Sequence, residues 1–215
     1  VTSKLNCSAL FTLKKNILNP NMSGYNNKIN STKKRLKIPR KVSAVSIENA
    51  ALSYLGRYAT SSENLRQVLE RRIMRASKHH NTNIEDCTQF VGDLIQRYLE
   101  NGILNDETYA KTQAASMNRR GKSLRAIRFS LRQKALPINI IDKAVKNLAN
   151  EVGYPDLVAA IAYAKKRRLG PYRIKANASI NLDKELRALA RSGFSYSLAL
   201  HIVEAANIDE LENEL

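Results

Sequence analysis

From Ile47 onward, apolar residues return along this chain at steps of three and four. That period commits the sequence to amphipathic helices, because it lays one apolar face along each helix, whereas a half-buried strand would alternate every second residue. Ile47, Ala50, Ala51, Tyr54, Leu55 and Tyr58 form the first such face. Thr60-Ser61-Ser62-Glu63 reads as a capping box opening a second helix, with the Thr60 hydroxyl serving a free backbone N–H and Glu63 reaching back. Leu65, Val68, Leu69 and Ile73 line that helix. A polar break at Lys78 to Asn83 precedes a third, marked by Ile84, Cys87, Val91, Leu94, Ile95 and Tyr98 and ended near Asn101-Gly102.

The pattern then recurs. Asn105 or Asp106 caps a helix carrying Tyr109, Ala110, Ala114 and Met117; Leu124, Ile127 and Leu131 line the next; Pro137 sits in the first turn of another, with Ile141, Ala144, Val145 and Leu148. A third set runs through Leu157, Ala160, Ile161 and Ala164, then a longer loop from Gly170 to Asn181. Leu186, Leu189 and Ala190 follow, then Leu198, Ile202 and Val203. The acidic end, Glu204 to Leu215, is expected to fray.

Three segments match in place: Leu69-Glu-Arg-Arg-Ile-Met74, Leu131-Arg-Gln-Lys-Ala-Leu136 and Leu189-Ala-Arg-Ser-Gly-Phe194. Each is a cation-rich close to a middle helix, and they recur about every 60 residues, the length of one three-helix unit. The expected fold is all-α, an elongated curved array of three tandem three-helix repeats at residues 47–103, 104–152 and 153–206. A flexible basic arm at 1–46 precedes them and an acidic tail at 207–215 follows. Only 5 Pro and 8 Gly are present, too few turn residues for a sandwich or barrel.

With 43% hydrophobic residues the chain is not disordered throughout. Residues 1–47 hold ten Lys or Arg and no Asp or Glu, the composition of a solvated arm. Val1 points to a non-standard start and Met22 to a later one, an expectation under which part of the arm is not made. The net charge of +17 calls for a polyanionic partner, either nucleic acid or an acidic protein surface. Cys7 and Cys87 form no disulfide framework and fit a reducing, cytoplasmic setting. No apolar run is long enough for a membrane helix, and Lys14 and Lys15 interrupt the only stretch resembling a signal peptide.

These segments together resemble the RecX recombination regulators. The resemblance is carried by Ala51-Leu52-Ser-Tyr-Leu55 with Ser62-Glu-Asn-Leu65-Arg66, by Asn101-Gly102-Ile103-Leu104-Asn105-Asp106-Glu-Thr-Tyr109-Ala110, and by Arg120-Gly121-Lys122-Ser123 with Leu131 to Leu136. Leu189-Ala190-Arg191-Ser192-Gly193-Phe194-Ser195 completes it, so that it spans roughly residues 47 to 206. It implies a monomeric, all-helical regulator that binds the RecA recombinase filament on single-stranded DNA, lies in its helical groove, and inhibits ATP hydrolysis and strand exchange. Weak direct contact with single- or double-stranded DNA is compatible with it. The chain departs from the family pattern at Ala135, where Gly is usual, at Asn105, where an acid is usual, and at Arg57-Tyr58, where an Arg pair is usual.

Signs of catalysis are weak. Gly121-Lys122-Ser123 ends like a phosphate-binding loop, but Ser116 stands where that loop needs Gly and a helix precedes it instead of a strand. His79 and His80 are adjacent in a polar loop, which does not turn both rings to one metal ion, and Cys87 lies on an apolar face. Asp106 and Glu107 are explained as helix-start acids. No catalytic residue, metal ligand or cofactor site is nominated, and enzymatic activity is not expected.

The basic clusters are the functional signal. Arg66, Arg71, Arg72 and Arg75 recur at helical spacing on the second helix. Arg119, Arg120 and Lys122 open the fifth, along which Arg125, Arg128 and Arg132 step down one side. Lys165, Lys166, Arg167 and Arg168 close the seventh. Aligned by repeat, they would present a cationic face to a phosphate backbone or an acidic groove. The competing reading is a helix-turn-helix transcription regulator, with the turn at Gly121 and the basic helix after it as recognition helix.

Overall fold

A computed structural model describes residues 39–174 and 182–214. Among them are ten α-helices, one 3₁₀ turn and no strand, so the fold is all-α. The helices are α1 (Ala44–Leu55), α2 (Ser62–Ser77), α3 (Ile84–Glu100), α4 (Asp106–Arg119), α5 (Leu124–Arg132), α6 (Ile138–Val152), α7 (Pro155–Arg167), α8 (Leu182–Arg191), α9 (Tyr196–Glu204) and α10 (Ile208–Glu212). The 3₁₀ turn, Gly170–Tyr172, lies between α7 and α8. The basic arm expected at residues 1–46 lies, but for its last eight residues, outside the described part.

The apolar faces read from the sequence turn inward, except at Tyr58, Ile84 and Ala190, which are exposed. Buried apolar residues gather in three clusters, one drawn from residues 42–104, one from 110–148 and one from 159–211. Ile47 and Ala51 of α1 meet Leu65, Leu69 and Ile73 of α2 and Val91, Leu94 and Ile95 of α3 in the first. In the second, Ala110 and Ala114 keep α4 thin, which lets α6 pack closely through Ile141, Ala144 and Val145. Truncating one of the fully buried Leu or Ile side chains removes about 2–5 kcal/mol, because the cavity collapses only in part.

Two junctions join the clusters, and the same pair of bonds builds both. At the first, the Ser61 hydroxyl caps α2 by accepting from Asn64 N–H at 3.3 Å and donates to the Lys134 carbonyl at 2.6 Å. Asp106, in the first turn of α4, accepts from the Ser62 N–H at 2.8 Å and from its hydroxyl at 2.6 Å. At the second, Ser123 caps α5 through Ala126 N–H at 3.2 Å and donates to the Ser192 carbonyl at 2.7 Å. Asp156, in the first turn of α7, accepts from Leu124 N–H at 2.7 Å. The bonds from Ser62, Asn64, Leu124 and Ala126 satisfy N–H groups that a helix start leaves without a partner, the serine hydroxyls satisfy carbonyls past a helix end, and each carboxylate sits at the positive end of a helix dipole. Asn118 reinforces the second junction by donating from its amide to the Pro155 carbonyl at 2.7 Å.

Glycine shapes this junction too. Gly121 follows α4 with φ +83°, and a Cβ there would lie 2.8 Å from the Tyr163 backbone nitrogen of α7. No side chain fits between the two backbones, whatever the strain of the dihedral.

Several local expectations are corrected. The cap of α2 is Ser61, not Thr60; Thr60 instead accepts from the Asn64 amide at 2.7 Å. Helix α1 ends at Leu55, so Tyr58 leaves the apolar face, stays 53% exposed and stacks on Tyr54 with ring centroids 5.0 Å apart. Asn105, not Asp106, caps α4. Pro137 is the N-cap of α6, one residue before its first turn. The acidic end does not fray throughout: Asn207 caps α10, and the single apolar residue Leu211 is fully buried in the third cluster.

Two predictions follow from these turns and junctions. Ala135 holds φ +55° where Gly193 holds +90° after the corresponding middle helix. A left-handed alanine costs about 1–2 kcal/mol, partly offset by the greater unfolded-state freedom of glycine, so Ala135→Gly raises stability by about 0.5–1 kcal/mol in thermal melts. Asp156→Ala strips the charged acceptor from Leu124 and lowers stability by about 2 kcal/mol in urea unfolding, with helicity retained in water.

Candidate partner-binding surface

The cations singled out in the sequence divide into three settings. On α2, Arg71, Arg72 and Arg75 are exposed, while Arg66 folds back on Glu63 at 3.1 Å. Arg72 and Arg75 line a hollow of about 330 Å³ together with Pro39 and Arg40. His80 borders this region and holds the chain by a contact of 2.6 Å from Nε2 to the Pro39 carbonyl oxygen.

The second setting surrounds α5. Arg119, Arg120 and Lys122 are exposed at the α4–α5 turn, and Lys122 donates to the Ser130 hydroxyl at 3.2 Å. Arg120 and Lys122 line a hollow of about 390 Å³ with Lys134, over an apolar floor that includes Met117 and Phe129. The three arginines expected along one side of α5 meet different surroundings. Arg128 pairs with Asp142 of α6 at 3.4 Å. Arg125 runs beside the Gly193 turn, where a Cβ on the glycine would sit 3.5 Å from its own. Arg132 is exposed. The start of α5 is already engaged by Asp156 and, through Ser123, by Ser192, so its first turn faces protein.

The third setting is the end of α7. Lys165 lies 3.4 Å from Glu212 of α10 and 6.0 Å from the Tyr172 ring centroid. The Arg167 guanidinium sits 5.9 Å from the Tyr163 ring centroid. Lys166 and Arg168 are exposed, and Arg168 terminates the helix in a left-handed conformation at φ +60°. Arg167 shares a hollow of about 670 Å³ with Lys184, Arg191 and Glu185.

Glu185 anchors that hollow. Its carboxylate accepts from Gly170 N–H at 2.9 Å and from Arg173 at 2.7 and 2.6 Å, a two-pronged pair largely shielded from water. Burial alone would raise its pKa, but the Arg173 hydrogen bonds, the Gly170 N–H and the Arg173 charge together hold it below the usual carboxylate value. The same hydrogen bonds raise Arg173 against a smaller opposing effect of burial. Near α5, burial first, then Tyr54 and Asp106, raise the pKa of the Tyr109 phenol.

Such a surface attracts anions. Among the described residues no three His, Cys, Asp or Glu gather as metal ligands, and no helix is long and apolar enough to cross a membrane. Cys87 is half-buried against the first cluster. Arg40, Lys134 and Arg191 join the hollows without having been singled out in the sequence. Lys134 and Arg191 belong to the repeated cation-rich helix ends, which were the signal that points to them. Arg40 lies in the basic arm, where no periodic pattern distinguishes it.

The chain is similar to three proteins each called Regulatory protein RecX. That of Myxococcus xanthus is 40% identical over 170 residues, covering 79% of this chain and 90% of the relative. That of Agrobacterium fabrum is 33% identical over 112 residues, 52% of this chain and 57% of the relative. That of Streptomyces coelicolor is 31% identical over 126 residues, 56% and 62%. No protein-family profile matches the chain, and no solved structure matches it significantly.

The Glu185 pair gives a pH-dependent prediction. Because its folded-state pKa is depressed, its contribution is complete at neutral pH and is lost as pH falls through the folded-state value. Glu185→Gln lowers stability by about 2 kcal/mol at pH 7. Chemical denaturation at a series of pH values shows the gap to the parent protein closing on acidification.

Proposed function

The chain belongs to the RecX family of regulatory proteins, and from that premise we propose that it binds the RecA recombinase filament on single-stranded DNA and restrains its ATP hydrolysis and strand exchange. The observation that carries the reading is the family match across most of the chain, and the three cation-lined hollows support it. A filament of protein on DNA is a long, acidic object. Cations spread over successive helix groups, each with its own core, suit contact at several points along it better than capture of one small molecule.

In this reading the three helix groups act as successive repeats, each bridging part of the filament surface. A protein that spans neighbouring filament subunits favours the arrangement it fits and opposes the rearrangements that turnover and strand exchange require. The cationic residues steer the encounter and set its salt dependence, and the apolar floor of the hollows adds affinity that salt does not screen. Direct contact with DNA is a lesser part of the proposal, since few aromatic side chains stand among the cations to stack bases.

The test is steady-state ATP hydrolysis by RecA on single-stranded DNA. The expected result is inhibition at less than one chain per recombinase; unchanged hydrolysis at excess, with folding verified by circular dichroism, removes the proposal. Joint reversal of Arg125, Arg128 and Arg132 to Glu is expected to weaken co-sedimentation with filaments by about tenfold with helicity intact. The lost Arg128–Asp142 pair is exposed and contributes under about 1 kcal/mol to folding. Undiminished inhibition by that variant excludes this helix from the interface.

A further inference from the structure

Tyr109 and Gln113 each line two hollows, so that the two adjoin along α4 as a groove. Its first half, about 360 Å³, runs past Tyr58, Ile103 and Thr112, and no charged side chain stands on its wall. Tyr58 and Ile103 are 53% and 51% exposed, and one face of Tyr58 rests against Tyr54 and Arg57. The second half holds Arg120, Lys122 and Lys134 around the 64% exposed Phe129, and no carboxylate stands on its wall.

The groove is built on fixed points. Lys134 is placed by the bond from the Ser61 hydroxyl to its carbonyl, and Lys122 is steered by Ser130. From Asn105 to Arg120 the helix rises about 22 Å, a length that about seven extended residues cover. We propose that this groove binds an extended segment of a partner protein. The segment seats apolar side chains, one of them aromatic, at the Tyr58–Ile103 end and two or more carboxylates at the Arg120–Lys122–Lys134 end.

Charge chooses this occupant over others. A nucleic-acid strand carries a phosphate on every nucleotide, and half of the groove would leave those phosphates against an uncharged wall. The chain's own residues 1–47 contain no carboxylate and do not supply the acidic end. The corresponding hollow beside α8 already holds a carboxylate, Glu185, bound to Arg173, so its demand for an external acid is smaller.

The proposal rests on the filament reading for the source of the segment but not for its chemistry, and two measurements keep these apart. In the first, a fluorescein-labelled peptide, Leu-Phe-Ser-Gly-Glu-Asp-Glu, is titrated with the full chain and followed by anisotropy. Saturable binding is expected, weakened about tenfold by the double variant R120E/K134E and by replacing the peptide's Leu and Phe with Ser. No binding to the parent chain, or equal binding to the double variant, overturns the proposal. In the second, benzoylphenylalanine is placed at the exposed Thr112 and, separately, at Phe129, and the chain is irradiated on RecA filaments. Crosslinks to an acid-containing segment of the recombinase are expected. Crosslinks only to DNA or to residues 1–38 of this chain, or none despite co-sedimentation, overturn it. Peptide binding without any filament binding would instead remove the filament reading and leave the groove's chemistry standing.

Discussion

Two buried serines hold this protein together across its helix groups. Ser61 and Ser123 are each fully buried, and each does two things with one hydroxyl. As acceptor it caps the helix that follows; as donor it reaches a carbonyl at the end of the next group's middle helix. A buried hydroxyl without partners would cost stability, so the two groups must stay in register for either serine to be satisfied. Asp106 and Asp156 add the charge that makes the arrangement directional, since each meets the positive end of the preceding group's middle helix. Lys134, whose carbonyl accepts from Ser61, also lines the hollow bordered by Arg120 and Lys122.

The surface that results keeps its cations from cancelling one another's use. Some are paired internally, as Arg128 is with Asp142 and Lys165 with Glu212, and those pairs lie in exposed positions where they add little to stability. Others face hollows with apolar floors. Charge of this kind speeds the approach of an anionic partner, and apolar contact slows its departure.

Much of the fold was legible because burial follows period. Ile141, Ala144, Val145 and Leu148 announce the inner face of α6 in the sequence, and all four are buried. The errors arose where spacing does not decide. Thr60 and Ser61 are chemically similar caps one residue apart, and the choice between them falls to Ser61 because its hydroxyl also meets Lys134, 73 positions away. Leu211 stands alone in an acidic run, and a single apolar residue has no period, yet a hole in the third cluster receives it. The cation clusters were visible as clusters. Their sorting was not, because the pairing of Arg128 depends on Asp142 in another helix, and the meeting of Lys134 with Arg120 depends on how α4 packs on α5.

Among the described residues, these junctions run between successive groups. The middle group, α4 to α6, is tied on both sides, through Asp106 and Lys134 to the first group and through Ser123 and Leu124 to the third. Each outer group is tied once. Releasing the middle group breaks the bonds of both junctions, whereas releasing an outer group breaks those of one. A chain graded in this way has a centre anchored from two sides and ends anchored from one.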